Sequence, residues 1–146
     1  MNKQELLNII KTKITDKIQS FQDLIEETRA SNNDTKSSMG DKYETGREML
    51  QQEINNLQRQ LNESLNQLAI IQKISTEPSD KVQLGSLVKT DKGFYYVTVS
   101  VGEILVEKQK VMTVSSESPL VKAMLGKKSS EKFVINTIHQ TIEAIW

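Results

Sequence analysis

Two long runs free of proline flank a short polar stretch, and each run spaces its apolar residues for one face of a helix. From Gln4 to Arg29 there is neither Pro nor Gly. Leu7, Ile10, Ile14, Phe21 and Leu24 fall close to an alternating three-and-four spacing. Lys17 stands in the apolar slot between Ile14 and Phe21, while Ile9, Ile18 and Ile25 widen the stripe. Such spacing predicts a helix with one apolar face. At about 26 residues and 1.5 Å per residue it would be roughly 40 Å long. A lone helix of this kind cannot bury its own stripe, so it requires a partner helix.

The second run supplies one. From Asp41 to about Lys73, Leu50, Ile54, Leu57, Leu61, Leu68 and Ile71 alternate at four and three, with Ser64 in the one missing slot. This is the pattern of a coiled-coil seam. Between the runs, Ala30–Gly40 is small and polar, and its Ser, Asn and Asp residues favour turns and caps. Asp41 followed by Glu44 resembles a capping box, with Asp at the cap position. A bend of roughly ten residues makes antiparallel pairing within the chain the shortest solution. A parallel homodimer of long helices is the alternative, and the polar bend argues against it. The hairpin is assigned to residues 1–75, with its tip at about 30–44.

Ser75–Asp80 is a linker by composition, with Pro78 in it, and the assigned linker is 76–81. Beyond it the period becomes strand-like. Val82–Lys89 reads as a strand and Thr90–Gly93 as a hairpin turn, with Gly93 free to adopt positive φ. Phe94–Val101 is rich in aromatic and β-branched residues, and Val101–Val106 and Lys110–Val114 are shorter strand candidates. Ser118-Pro119 opens a short helix that runs to Leu125 and stops at Gly126. Lys132–Thr137 and Ile138–Ile145 close the chain as strands or one bent strand. The expected fold is thus α+β: an N-terminal antiparallel coiled-coil hairpin, then a small antiparallel β domain at 82–146 with one short helix.

Charge and composition exclude several classes. The 146 residues hold 19 Lys+Arg and 19 Asp+Glu, a net charge of zero, which does not favour direct nucleic-acid binding. With no Cys there is no disulfide, thiol nucleophile or Cys-ligated metal. No apolar run approaches the ~20 residues of a membrane span, and the N-terminus shows no signal-peptide core. These features lead us to expect a cytoplasmic chain. His139, the only His, stands in a strand-like run with no nucleophile in sequence reach.

Two stretches resemble a known family. Gly85, Ser86 and Val88 match a Gly-Ser-x-Val strand. Ser118, Pro119, Leu120, Ala123, Met124, Leu125, Gly126 and Lys127 match a Ser-Pro-(Ile/Leu)-x-x-Ala-(Leu/Met)-(Ile/Leu)-Gly-Lys segment. Both patterns are those of the C-terminal domain of bacterial Gre transcript-elongation factors, and the order of hairpin then β domain is also theirs. The resemblance implies an FKBP-like C-terminal domain. It implies a regulator of bacterial RNA polymerase that docks at the rim of the secondary channel through Ser118, Pro119, Leu120, Gly126 and Lys127. It also implies a coiled-coil tip directed at the polymerase active site, here Asp34, Lys36, Asp41, Lys42, Tyr43, Glu44 and Arg47. In cleaving members, acidic tip residues help hold a second Mg²⁺, and hard oxygen ligands suit that ion.

At the tip this chain departs from the family. Read back from Tyr43, the family's acidic positions fall on Lys36, Met39 and Lys42, with Asp34, Asp41 and Glu44 out of register. Ser130-Glu131 replaces the family's Gly-Asp, which suggests a different turn. The resemblance therefore leaves open cleavage stimulation or channel occupancy without cleavage. Asp41 and Glu44 would meet Mg²⁺ only within the polymerase complex, and RNA would be met only through the polymerase. No intrinsic cofactor, metal or enzymatic activity is expected, and a monomer is. Competing classes are a peptidyl-prolyl isomerase by fold alone, which the scarcity of aromatics opposes, and a coiled-coil scaffold or peptide-binding module.

Overall fold

A computed structural model describes residues 1–35 and 44–146, without the side chains of 33–35, 44 and 45. Helix α1 spans Lys3–Thr35 and helix α2 spans Glu44–Lys73, forming the expected helical hairpin. Helix α1 outruns the sequence expectation, because Ala30–Thr35 are helical where a bend is predicted. Ser, Asn and Asp each cost only about 0.7 kcal/mol or less in a helix. Extending a helix already 27 residues long needs no new nucleus.

By internal contacts the chain divides into two compact units. One is Lys13–Leu68, the greater part of the hairpin. In it Ile14, Ile18 and Ile25 of α1 are buried, as are Ile54, Leu57, Leu61 and Ser64 of α2. On α2 the buried residues are those of the predicted seam, with Ser64 filling its missing slot. On α1 the stripe is displaced. Ile18 is buried and Lys17 exposed, and Ile25 is buried while Leu24 is 44% exposed. Leu7, Ile14, Ile18 and Ile25 follow the 3.6-residue period of a straight helix, rather than the 3.5 of a heptad.

The other unit combines Met1–Thr12 with Ala69–Trp146. Its strands are β1 (Leu87–Thr90), β2 (Gly93–Thr98), β3 (Glu103–Val106), β4 (Gln109–Ser115), β5 (Lys132–Ile135) and β6 (Ile138–Ile145), with helix α3 at Pro119–Met124. They form one sheet in the order β3-β4-β2-β1-β6-β5. Thr90–Gly93 is a tight turn, as expected. The predicted antiparallel sheet is in fact mixed, because β2 and β4 run parallel. After β2 the chain passes over the place β4 will take and returns as the edge strand β3. It then turns inwards at Glu107-Lys108, two residues with positive φ. Sequence alternation locates strands but not which neighbour each will choose.

The period of two sets the faces. Val88, Val97, Val114, Phe133 and Ile142 form one buried cluster with Val82 and with Val121 and Met124 of α3. The opposite face carries Leu87, Tyr96, Thr98, Val111 and Thr113, all buried. The helix ends in this unit bring Leu6, Leu7, Ile10 and Ile71, also buried. Val82–Lys89 is not the single strand predicted. A turn at Gln83–Ser86, closed by the Ser86 N–H bond to the Gln83 carbonyl, interrupts it before β1. No helix of the described residues is long and apolar enough to cross a membrane.

Candidate docking site

The two stretches that carry the family resemblance meet in space. Ser118 adopts the extended conformation of an N-cap, and its Oγ accepts from the Val121 N–H at 3.3 Å. Pro119 follows at the first helical turn, where its missing N–H costs nothing. Beyond the Leu125 C-cap, Gly126 stands at φ +79°, a left-handed geometry that glycine adopts without a Cβ penalty. The Gly126 N–H donates to the Val82 carbonyl at 2.8 Å, and the Val82 N–H donates to the Lys127 carbonyl at 2.9 Å. A further bridge pairs Lys81 with Lys128. The end of the second motif is thereby fastened to the strand-like residues just before the first.

The first motif works as a clamp. Gly85 stands at φ +92°, and a Cβ there would meet Ile74 Cγ2 and the Ser75 carbonyl oxygen, each at 3.3 Å. Ser86 is fully buried and its hydroxyl is bonded both as donor and as acceptor. It donates to the Lys81 carbonyl at 3.1 Å and accepts from the Gln83 N–H at 3.0 Å. Val88 lies in the core cluster. These three residues hold the entry to β1 against the segment that leaves α2, which explains their types without reference to a ligand.

The second motif divides between core and surface. Val121 and Met124 are buried, with Leu120 and Ala123 packed on the same cluster. Pro119, Lys122 and Gly126 are exposed, Leu125 is 55% exposed, and Ser118 and Lys127 are half-buried. An apolar side chain and two lysines thus stand on a capped, backbone-fastened helix. Such a surface can dock on a partner without rearranging. Ser130, where the family pattern has glycine, sits at φ +76°, with its N–H donating to the Ile142 carbonyl at 2.7 Å.

Of the tip residues, Asp34 falls within α1, and Glu44 is the first residue of α2. Arg47 is half-buried on α2. Lys36, Asp41, Lys42 and Tyr43 lie outside the described residues. Among the described residues no group of three or more His, Asp or Glu side chains is placed to hold a metal ion. His139 is exposed on β6 opposite Val134.

Other notable features escaped the sequence reading, although Phe94 and Tyr96 themselves read as sheet and core residues. Tyr96 is fully buried and its hydroxyl has no hydrogen-bond partner among the described residues, and burial raises its pKa from 10.0 to about 12. Strand alternation places Tyr96 inward, but gives no sign that its hydroxyl would go unpaired. Lys3 is buried near the start of α1, four residues before Leu7 and so in line with the apolar stripe, a position the predicted helix start at Gln4 left out. Trp146, just past the end of β6, stacks on Phe94 of β2 with ring centroids 6.4 Å apart, a pairing that depends on β1 lying between those two strands.

No protein-family model matches the chain, and no curated protein does. Among solved structures it is similar to one described as the transcription factor Gfh1, at 17% identity over 92% of each chain and a TM-score of 0.39. It is similar to GreA factor homolog 1 of Thermus thermophilus at 16% identity, over 93% of this chain and 94% of that one, with a TM-score of 0.40. It is also similar to Thermus aquaticus Gfh1, at 17% identity over 92% of each chain, with a TM-score of 0.36. Likeness at this distance carries no weight for function.

Proposed function

We propose that this chain is a Gre-like regulator of transcription. In this reading it binds bacterial RNA polymerase through α3 and the turn at Gly126-Lys127, and its hairpin tip enters the secondary channel to modulate elongation or transcript cleavage. One observation supports the reading above others. The two resembling motifs are joined through Val82, and Pro119, Lys122 and Leu125 are left facing water on a capped helix. The protein itself is not an enzyme in this reading. It acts as a cytoplasmic monomer on the polymerase's own chemistry, meets RNA only through the polymerase, and meets Mg²⁺ only in the complex, through Asp41 and Glu44.

Polymerase co-sedimentation and a transcription assay test both halves. Pro119→Asp with Lys127→Ala is expected to abolish binding while leaving the circular dichroism unchanged. Asp41→Ala with Glu44→Ala, and separately Lys42→Ala with Arg47→Ala, should preserve binding but alter elongation, pausing or cleavage. Failure of the wild-type chain to bind polymerase would end the proposal. Tip variants that bind and act as wild type would remove the tip's role.

A further inference from the structure

Lys3 is the one charged side chain among the described residues that is buried, at 7% exposure. Its ammonium donates to the Glu77 carbonyl at 3.0 Å and forms no ion pair among the described residues. An ammonium has three N–H donors, so one carbonyl leaves most of its capacity unused. Burial draws its pKa below that of an ordinary lysine, and the negative charge of Glu77 opposes this only in part. A buried cation whose nearby counter-charge makes up only part of its desolvation is costly, and an anion beside it would offset more of that cost.

The surroundings provide room for one. Lys3 lines a cleft of about 270 Å³ together with Met1, Asn2, Gln4, Thr76, Pro78 and Trp146. Asn2 Oδ1 already accepts from the N–H groups of Gln4 at 2.9 Å and Glu5 at 3.3 Å. The capped helix end therefore contributes its field, while Lys3 remains the donor for a ligand. One wall is apolar and braced: Trp146 stacks on Phe94, over which the Lys89 ammonium sits 5.8 Å from the ring centroid. The space lies just under the range of about 300–1,000 Å³ usual for drug-sized ligands.

We propose that this cleft binds a small organic carboxylate, with Lys3 holding the carboxylate and the apolar body of the ligand lying against Pro78 and Trp146. The apolar wall selects an organic acid over an inorganic anion. The site is independent of the polymerase reading and stands or falls without it.

Trp146 is the only tryptophan, so its indole N–H gives a single cross-peak in an amide correlation spectrum. Benzoate should shift that peak with a Kd of about 1–10 mM, in keeping with a fragment-sized ligand. Benzamide, the neutral analogue, should shift it only at much higher concentration, and so should inorganic phosphate. Lys3→Gln and Lys3→Met, with folds verified in the same spectra, should weaken benzoate by about tenfold or more, while Lys92→Gln leaves it unchanged. The proposal is overturned if benzoate produces no shift or if benzamide or phosphate matches it. It is equally overturned if folded Lys3 variants titrate like the wild type. The comparison of benzoate with benzamide decides the matter even if neither Lys3 variant folds.

Discussion

The hairpin and the sheet were given different amounts of freedom, and they used it differently. On α1 two apolar stripes lie side by side, one through Lys17 and Leu24, the other through Ile18 and Ile25. The helix turns its face so that Ile18 and Ile25 are buried and the lysine reaches water. A rotation of one residue about a helix axis is about 100°, and smaller turns are available through drift between periods of 3.5 and 3.6. A strand has no such choice. Its side chains alternate strictly, and a slip of one residue sends the whole set to the wrong face. With Val97 committed to the cluster beneath α3, Tyr96 must face the other way, and it is buried there with its hydroxyl unpaired among the described residues. Soft register lets a helix avoid a defect, whereas fixed register obliges a strand to keep one.

At neutral pH the largest effect should come from the helix. Ile18→Ala is expected to destabilise the hairpin by about 2–3 kcal/mol through lost burial and the cavity left behind. Lys17→Ala, one residue away, should change stability by less than about 0.5 kcal/mol. Denaturant titration followed by circular dichroism at the helix band makes the measurement. The reverse ranking would return α1 to the heptad stripe and dissolve the contrast. Ile25→Ala against Leu24→Ala repeats the test about two turns further along, where a similar ordering is expected.

Tyr96 tests the rigid side of the comparison. Its pKa is raised from 10.0 to about 12 by burial, so the folded state keeps the phenol proton after the unfolded state has released it. The contribution is complete below pH 10 and is lost as pH climbs towards 12, a fall of about 3 kcal/mol over that window. Tyr96→Phe removes the group, so its stability should not show that fall. At neutral pH the variant should also be more stable by about 1 kcal/mol, because an unpaired buried hydroxyl is gone. Parallel pH series of wild type and variant, by denaturant unfolding, would show the two curves diverging above pH 10. Curves that stay parallel would mean that the folded state releases the phenol proton as readily as the unfolded state does.

The same contrast explains what the sequence disclosed. The elements were legible because period and punctuation are local: α2 and its Ser64 slot, the turn at Thr90–Gly93, the Ser118 cap and the Gly126 stop. The parallel pairing of β2 with β4 was not, since it depends on which of several similar strands lies alongside. Nor was the interruption at Gln83–Ser86, where a buried Ser86 closes a turn inside an apparently continuous apolar run. The extra turn and a half of α1 was hidden because weak helix formers end a helix only when something competes. For the candidate docking site, the residue types of both motifs were readable, but their joining through Val82 was not. Lys3 continues the spacing of Leu7 and Ile10, but its surroundings were not readable, because only the folded unit brings Thr76, Pro78 and Trp146 around it.

At the next level down, Ser118 separates a local device from a tertiary one. Its hydroxyl meets the Val121 N–H at 3.3 Å, and α3 is only 6 residues long. So short a helix cannot sustain itself, and its packing on the core does most of the holding. Ser118→Ala should therefore cost about 1 kcal/mol, and Ser118→Asp, which restores an acceptor, should recover most of it. Urea titration of the two variants checks this, and equal losses would show that the cap contributes nothing beyond the hydroxyl's own packing.

The smallest effect concerns how the sheet closes its hairpins. Glu107 and Lys108 join β3 to β4 with φ of 50° and 67°, positive at both central positions as in a type I′ turn. That turn matches the twist of the strands, and Asn-Gly meets its demands better than any two residues with larger side chains. The present pair tolerates the geometry because the Val106↔Gln109 register leaves only two residues to reverse the chain. Here again a strand has imposed a conformation on residues unsuited to it. Glu107→Asn with Lys108→Gly should relieve that strain and raise stability by about 1 kcal/mol or less, since glycine's greater freedom in the unfolded chain takes back part of the gain. Thermal unfolding of the double variant reads the difference. A loss of stability instead would mean that the two charged side chains are held by contacts worth more than the backbone strain, and the sheet would then resemble α1 in having settled its own conflict.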